Sequence, residues 1–171
     1  RHRRQSQRGD LAVTERVKGF PPFYGGKCRV LVLGSFPSVK SRQTGFYYGN
    51  PQNRFWRTVC GFFGEEVPPG VEGKKAFLLR RNIALWDVVL SCEIQGSSDA
   101  SIRREEVAKL DEVFLNCGAK AILCNGKKAY GVLEAEYPAL LPVTELMPST
   151  SPANPRFDQE VWKEALGRIY K

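Results

Sequence analysis

Histidine is almost missing from this chain of 171 residues: the single one, His2, sits in an opening basic run. Schemes that need a core imidazole as acid, base or metal ligand are therefore excluded. Cysteine occurs five times, at 28, 60, 92, 117 and 124, but never with Cys-x-x-Cys spacing. That odd count and scatter read as buried or free thiols in a reducing compartment and argue against a zinc or iron–sulfur cluster. No apolar run approaches the roughly 18 residues of a membrane span, and no stretch of signal-peptide type follows "RHRRQSQRGD". No Walker-type or dinucleotide glycine loop follows any candidate strand. These absences lead us to expect a soluble, cytoplasmic, monomeric protein that needs neither metal nor cofactor.

Charge of one sign is in excess. The formal net charge is +8, but residues 1–8 hold four Arg and no acid, leaving 22 basic against 18 acidic side chains in the rest. Half of the excess thus lies in a stretch expected to be flexible. We place a basic tail at 1–19 and one domain at 20–171. A polyanionic partner is favoured, weakly on charge alone. With 42% hydrophobic residues the chain can bury a single core, which excludes a disordered or collagen-like polymer.

Apolar periodicity divides that domain. "KCRVLVLG" (27–34) is a buried strand meeting a tight turn, and strands are likewise expected at 82–92, 120–124 and 141–146. Helical spacing marks 53–63, 74–81, 96–117 and 127–137, with a last helix carrying Val161, Ala165 and Ile169 on one face. Asn53 stands where an N-cap would serve the first of these. Strands alternating with helices predict an α/β layer structure with a mostly parallel sheet. In such sheets ligands bind beyond the carboxyl ends of the strands, where this chain carries "GSFPS", "WD", "NG" and "MPSTSPANP".

The residue types in these loops suit a flat heterocycle with a phosphate nearby. Gly34 permits close backbone approach, and the amides near Ser35 could face an anion or a polar ligand edge. "FYYGNPQN" places flat rings next to short amide side chains, a set that stacks on a planar base and reads its edge. "MPSTSPANP" offers hydroxyls on a stiff loop before a helix, suited to phosphate contacts. Each has a plainer reading: a strand-to-loop turn, rings plugging the core, a rigid lead into a helix.

Together, "VLVLGSFPSVKSRQTGFYYGNPQNRFW", "IALWDVVLSC", "GSSDASI", "CNGKKAY" and "MPSTSPANP" resemble the hypoxanthine-DNA glycosylase family of the uracil-DNA glycosylase superfamily, from about Phe20 to the C-terminus. The resemblance implies a three-layer α/β/α sandwich around a four-stranded, mainly parallel sheet. It implies DNA as partner and cleavage of the N-glycosidic bond of a deaminated base, flipped out of the duplex. Because unstacking is cheapest for a mispaired base, hypoxanthine opposite T or uracil opposite G is selected before any edge is read.

Many members of the superfamily place Asp or Asn two residues after the first-motif Gly and His at the head of the second motif; this chain has Phe36 and Met147 there. The resemblance therefore moves the polar work to Asn53, with Asn50, held extended before Pro51, as the second candidate. An amide has no useful pKa, so its part would be orientation and hydrogen bonding. Tyr48 is the expected stacking ring, Gly34, Ser35 and Phe36 line the base pocket, and Asn125 reads a base edge. Ser149, Thr150 and Ser151 would contact phosphates, and Met147 or Pro148 would fill the gap in the duplex. Asp87 and Asp99 are carboxylates that could stabilise an oxocarbenium-like sugar, although an Asp at a strand or helix end is more often a cap. Lys40 and Lys127 lie in candidate loops with nothing visible to desolvate them, so a monofunctional enzyme is preferred to a lyase. The competing readings are a uracil- or mismatch-specific enzyme of the same superfamily, a non-catalytic DNA-binding module and an unrelated nucleotide-binding domain.

Overall fold

A computed structural model describes residues 14–95 and 102–171. The main sheet has four strands in the order β3-β2-β6-β7, and all three neighbouring pairs are parallel. They are β2 (Val30–Gly34), β3 (Ile83–Asp87), β6 (Ala121–Asn125) and β7 (Thr144–Met147). The first two are buried along their whole length, which is why they read as unbroken apolar runs rather than as alternating patterns. The helices α1 (Val39–Thr44), α2 (Phe55–Phe62), α3 (Val71–Arg81), α4 (Leu110–Cys117), α5 (Lys127–Glu136) and α6 (Gln159–Ile169) flank it, giving the expected α/β/α layers. The chain starts in the middle at β2, adds β3 on one side and then β6 on the other. The order reverses between β2 and β6, and a crevice opens at their carboxyl ends.

Four expectations need correction. The run 82–92 is two strands: β3 ends at Asp87, and after Val88 the chain enters β4 (Val89–Gln95) of a second sheet. That sheet is antiparallel, in the order β1-β4-β5. The supposed helix 96–117 is a strand, β5 (Ile102–Val107), followed by the short α4; residues 96–101, with Asp99, lie outside the described residues. Arg and Glu are good helix formers, but pairing with β4 overrides that preference, with register shifts between Val89 and Glu93. Finally, β1 (Thr14–Lys18) pairs with β4 inside the stretch expected to be a flexible tail, because β4 offers it a ladder that sequence periodicity cannot reveal. A 3₁₀ turn at Pro138–Val143 likewise shortens the last strand, since Pro138 and Pro142 cannot donate to a ladder.

Candidate functional site

A cavity of about 280 Å³ lies at the reversal point, small beside the roughly 300–1,000 Å³ usual for drug-sized ligands. Gly34, Ser35, Phe36, Tyr48, Asn50, Asn53, Asn125, Ser149, Thr150 and Ser151, all singled out in the sequence, border it together with Asp87. Lys40 and Lys127 are exposed and do not border it.

The first wall is the segment that joins β2 to α2, and its rings divide the labour. Phe46, Tyr47, Phe55 and Trp56 are buried and plug the core. Their polar ends tie the segment down: Trp56 Nε1 donates to the Tyr47 carbonyl at 3.0 Å, and the Tyr47 hydroxyl donates to the Pro21 carbonyl at 2.8 Å. Tyr48 is different. Its backbone takes a φ of 53°, uncommon for a residue with a Cβ, and its ring stacks on Phe55 with centroids 4.3 Å apart. One face of the expected stacking ring is thus committed to the core, and what Tyr48 brings to the cavity floor is its hydroxyl.

Both asparagines are fixed in orientation. Asn53 Oδ1 accepts from Phe55 N at 2.9 Å, and Asn50 Oδ1 accepts from Gln52 N at 3.0 Å. The N-cap of α2 is Arg54, with no side-chain capping bond, so the capping role expected of Asn53 is corrected: its bond to Phe55 N is a turn just outside the cap, and it aims the amide. Each amide nitrogen has no hydrogen-bond partner among the described residues.

The second wall is the loop 147–155, stapled from three sides. Asn125, ending β6, donates through Nδ2 to Thr150 Oγ1 and accepts from Thr150 N, both at 2.9 Å. Arg54 donates to the carbonyls of Ser151 at 2.6 Å and Asn154 at 2.7 Å, with its guanidinium 4.5 Å from the Phe157 ring centroid. From α6, Trp162 Nε1 donates to the Pro148 carbonyl at 2.8 Å. This geometry corrects two assignments. Met147 is buried at the end of β7, so its side chain cannot enter a duplex. Thr150 is buried too, with its hydroxyl held by Asn125 and turned away from any phosphate, whereas Ser149 and Ser151 are half-buried. Asn125 is first of all the clamp on this loop.

At the floor, Gly34 and Asp87 are opposite each other across the β2–β3 ladder. A Cβ on Gly34 would fall 2.5 Å from Asp87 Oδ1 and 3.0 Å from the Tyr48 hydroxyl, so only glycine fits. Asp87 is 5% exposed, and neither its Oδ2 nor the Tyr48 hydroxyl has a hydrogen-bond partner among the described residues. An unsatisfied buried polar group costs about 1–3 kcal/mol, so two side by side call for a reason. Burial pushes the Asp87 carboxyl up to about 7. Burial first, then the neighbouring Asp87 charge, pushes the Tyr48 phenol far above its ordinary range, while Asn125 alongside pulls the other way. An Asp after a strand looks like a cap in the sequence, and only its pairing opposite Gly34 reveals a cavity residue.

The family model of the uracil DNA glycosylase superfamily matches residues 21–165. A hypoxanthine DNA glycosylase of Methanosarcina acetivorans is 36% identical over 148 residues, covering 83% of this chain and 90% of that one. A hypoxanthine DNA glycosylase of Methanosarcina barkeri is 34% identical over 160 residues, covering 90% of this chain and 99% of that one. A solution NMR structure of a proposed uracil DNA glycosylase from Methanosarcina acetivorans superposes with a TM-score of 0.79 at 32% identity, over 92% of this chain and all of that one.

Proposed function

The chain belongs to the uracil DNA glycosylase superfamily and is a DNA glycosylase, and from that premise we propose that it excises hypoxanthine from deoxyinosine in DNA, leaving an abasic site. The observation that carries this reading is the convergence of two oriented amides, a phenyl ring and an unsatisfied polar floor on one small cavity beside a hydroxyl-bearing loop. A base flipped from the duplex stacks on Phe36, while the sugar stays at the mouth near Asn50, Asn53, Ser149 and Ser151. Asn53 orients the attacking water, using the Nδ2 donor and the second lone pair of an Oδ1 already anchored to α2. Asn50 supports the sugar from the same wall. Ser149, Ser151 and Pro148 follow the DNA backbone, and the positive charge of the chain steers encounter. The exposure of Lys40 and Lys127, away from the cavity, favours hydrolysis over a lysine–sugar adduct, hence a monofunctional enzyme.

The test is alkaline cleavage of end-labelled duplexes carrying one inosine or one uracil, with the wild type beside Asn53→Ala and Asn50→Ala. Inosine-dependent breaks that vanish in Asn53→Ala and only weaken in Asn50→Ala are the expected result. Breaks at uracil alone would move the substrate, and loss in Asn50→Ala alone would move the water.

A further inference from the structure

Two of the buried polar atoms without a partner among the described residues, Asp87 Oδ2 and the Tyr48 hydroxyl, belong to side chains that meet over Gly34 at the cavity floor. Both unpartnered atoms are themselves buried, whereas Asn50, Asn53, Ser149 and Ser151 are half-buried residues on the walls of the cavity. A base entering from the mouth, still joined to its sugar, meets this floor with one of its edges. On hypoxanthine the major-groove edge holds two adjacent acceptors, O6 and N7, which match two adjacent donors. We infer that Asp87 is the acid of the reaction, donating its proton to N7 of the flipped hypoxanthine while the Tyr48 hydroxyl donates to the neighbouring O6. This inference rests on the reading of the cavity as the hypoxanthine pocket.

Several observations converge on it. A carboxyl 5% exposed with an unpartnered oxygen is shifted by burial toward the neutral form, which is the form that can donate, and about half of it is neutral near pH 7. Among the described residues the groups that face it are Tyr47 and Tyr48 from the first wall and Gly34 from β2, none of them a cation. The sugar-stabilising role considered for Asp87 from the sequence would be served by the ionised carboxylate, which burial disfavours. The step balances. As the C1′–N9 bond breaks, its electron pair passes into the purine, the Asp87 proton goes to N7, and the oxygen of the water at Asn53 bonds to C1′. The base leaves neutral, the attacking water gives its proton to solvent, and Asp87 is reprotonated from solvent once the base has left.

The experiment is the single-turnover rate of hypoxanthine release from an inosine duplex at saturating enzyme, between about pH 6 and 8.5, for the wild type, Asp87→Asn and Tyr48→Phe. The wild-type rate is expected to be level at the acid end and to fall about tenfold per pH unit at the alkaline end, as the donor ionises. Asp87→Asn keeps the shape and a donor N–H but has no proton to give, so its rate drops about 10²–10⁴-fold and loses the falling limb. Tyr48→Phe is slower but keeps the limb. A level wild-type profile, or an Asp87→Asn enzyme with the wild-type rate and limb, would overturn the assignment. Absence of hypoxanthine release by the wild type at every pH overturns the substrate reading and this inference with it, whereas release with a level profile overturns only the acid.

Discussion

The segment 34–56 and the loop 147–155 border the same cavity, yet the first is anchored by rings sunk into the core and the second by hydrogen bonds to its carbonyls and amides. Burial of apolar surface is strong but non-directional, so the aromatic wall gains stability while its exact presentation is left to a few polar ties such as Trp56 Nε1 to Tyr47 O. Hydrogen bonds contribute less each but fix direction, so the second wall presents Ser149 and Ser151 at a set place with little core beneath them. One cavity is thus bordered by one wall of each kind.

The contrast breaks most visibly at Phe55, which is fully buried beneath Tyr48. Phe55→Ala is expected to cost about 3–5 kcal/mol in urea unfolding and to abolish excision, because Tyr48 loses its support. The floor between the walls comes next. In the unfolded chain Asp87 ionises near 3.8 and in the folded protein near 7, so the native state keeps a proton that the unfolded state has lost. Stability therefore falls as pH rises from about 4 to about 7 and levels off above, by ~4 kcal/mol at most. Asp87→Asn should flatten this slope in a Tm-against-pH series and make the protein more stable than the wild type at pH ~8. Equal slopes in the two proteins would place the proton elsewhere.

Smaller effects sharpen the second wall. Arg54→Ala removes two short bonds to carbonyls and the contact with Phe157, and about 1.5–3 kcal/mol of stability is expected to go with them. Hydrogen exchange should quicken at the amides of 149–154 while those of α2 stay protected, and uniform protection would show that the loop stands without its clamp. Asn125→Ala and Thr150→Val, taken singly and together, should show a coupling of about 1 kcal/mol, as bonded neighbours do. Additive effects would mean that the paired bonds do not act as a unit.

The main sheet was legible because buried parallel strands need no partner pattern: "VLVLG" and "AILC" are apolar throughout, and each ends in a small or polar residue at the cavity. Asn50 and Asn53, which lie beyond α1, were singled out for the polar work only through the resemblance, whereas Ser35 and Phe36, just past such an end, were legible from the strand itself. The second sheet was not, since nothing in "IRREEV" prefers a strand until β4 lies beside it. Asp87 was only half legible: its position after a strand was plain, but its burial is imposed by Tyr48, reached through a segment far along the chain. Met147 and Thr150 were misplaced because a loop rich in hydroxyls and prolines does not reveal which side chains turn inward.

Tyr48 adopts its left-handed backbone at a cost of about 1–2 kcal/mol that Gly would avoid and Asn would lessen. Gly or Asn at position 48 would relieve that torsion but forfeit the ring stacked on Phe55, a loss of up to about 3–5 kcal/mol for an aromatic packed against the core. The strain is thus carried by the packing beneath it, like a bent spring held down by a weight.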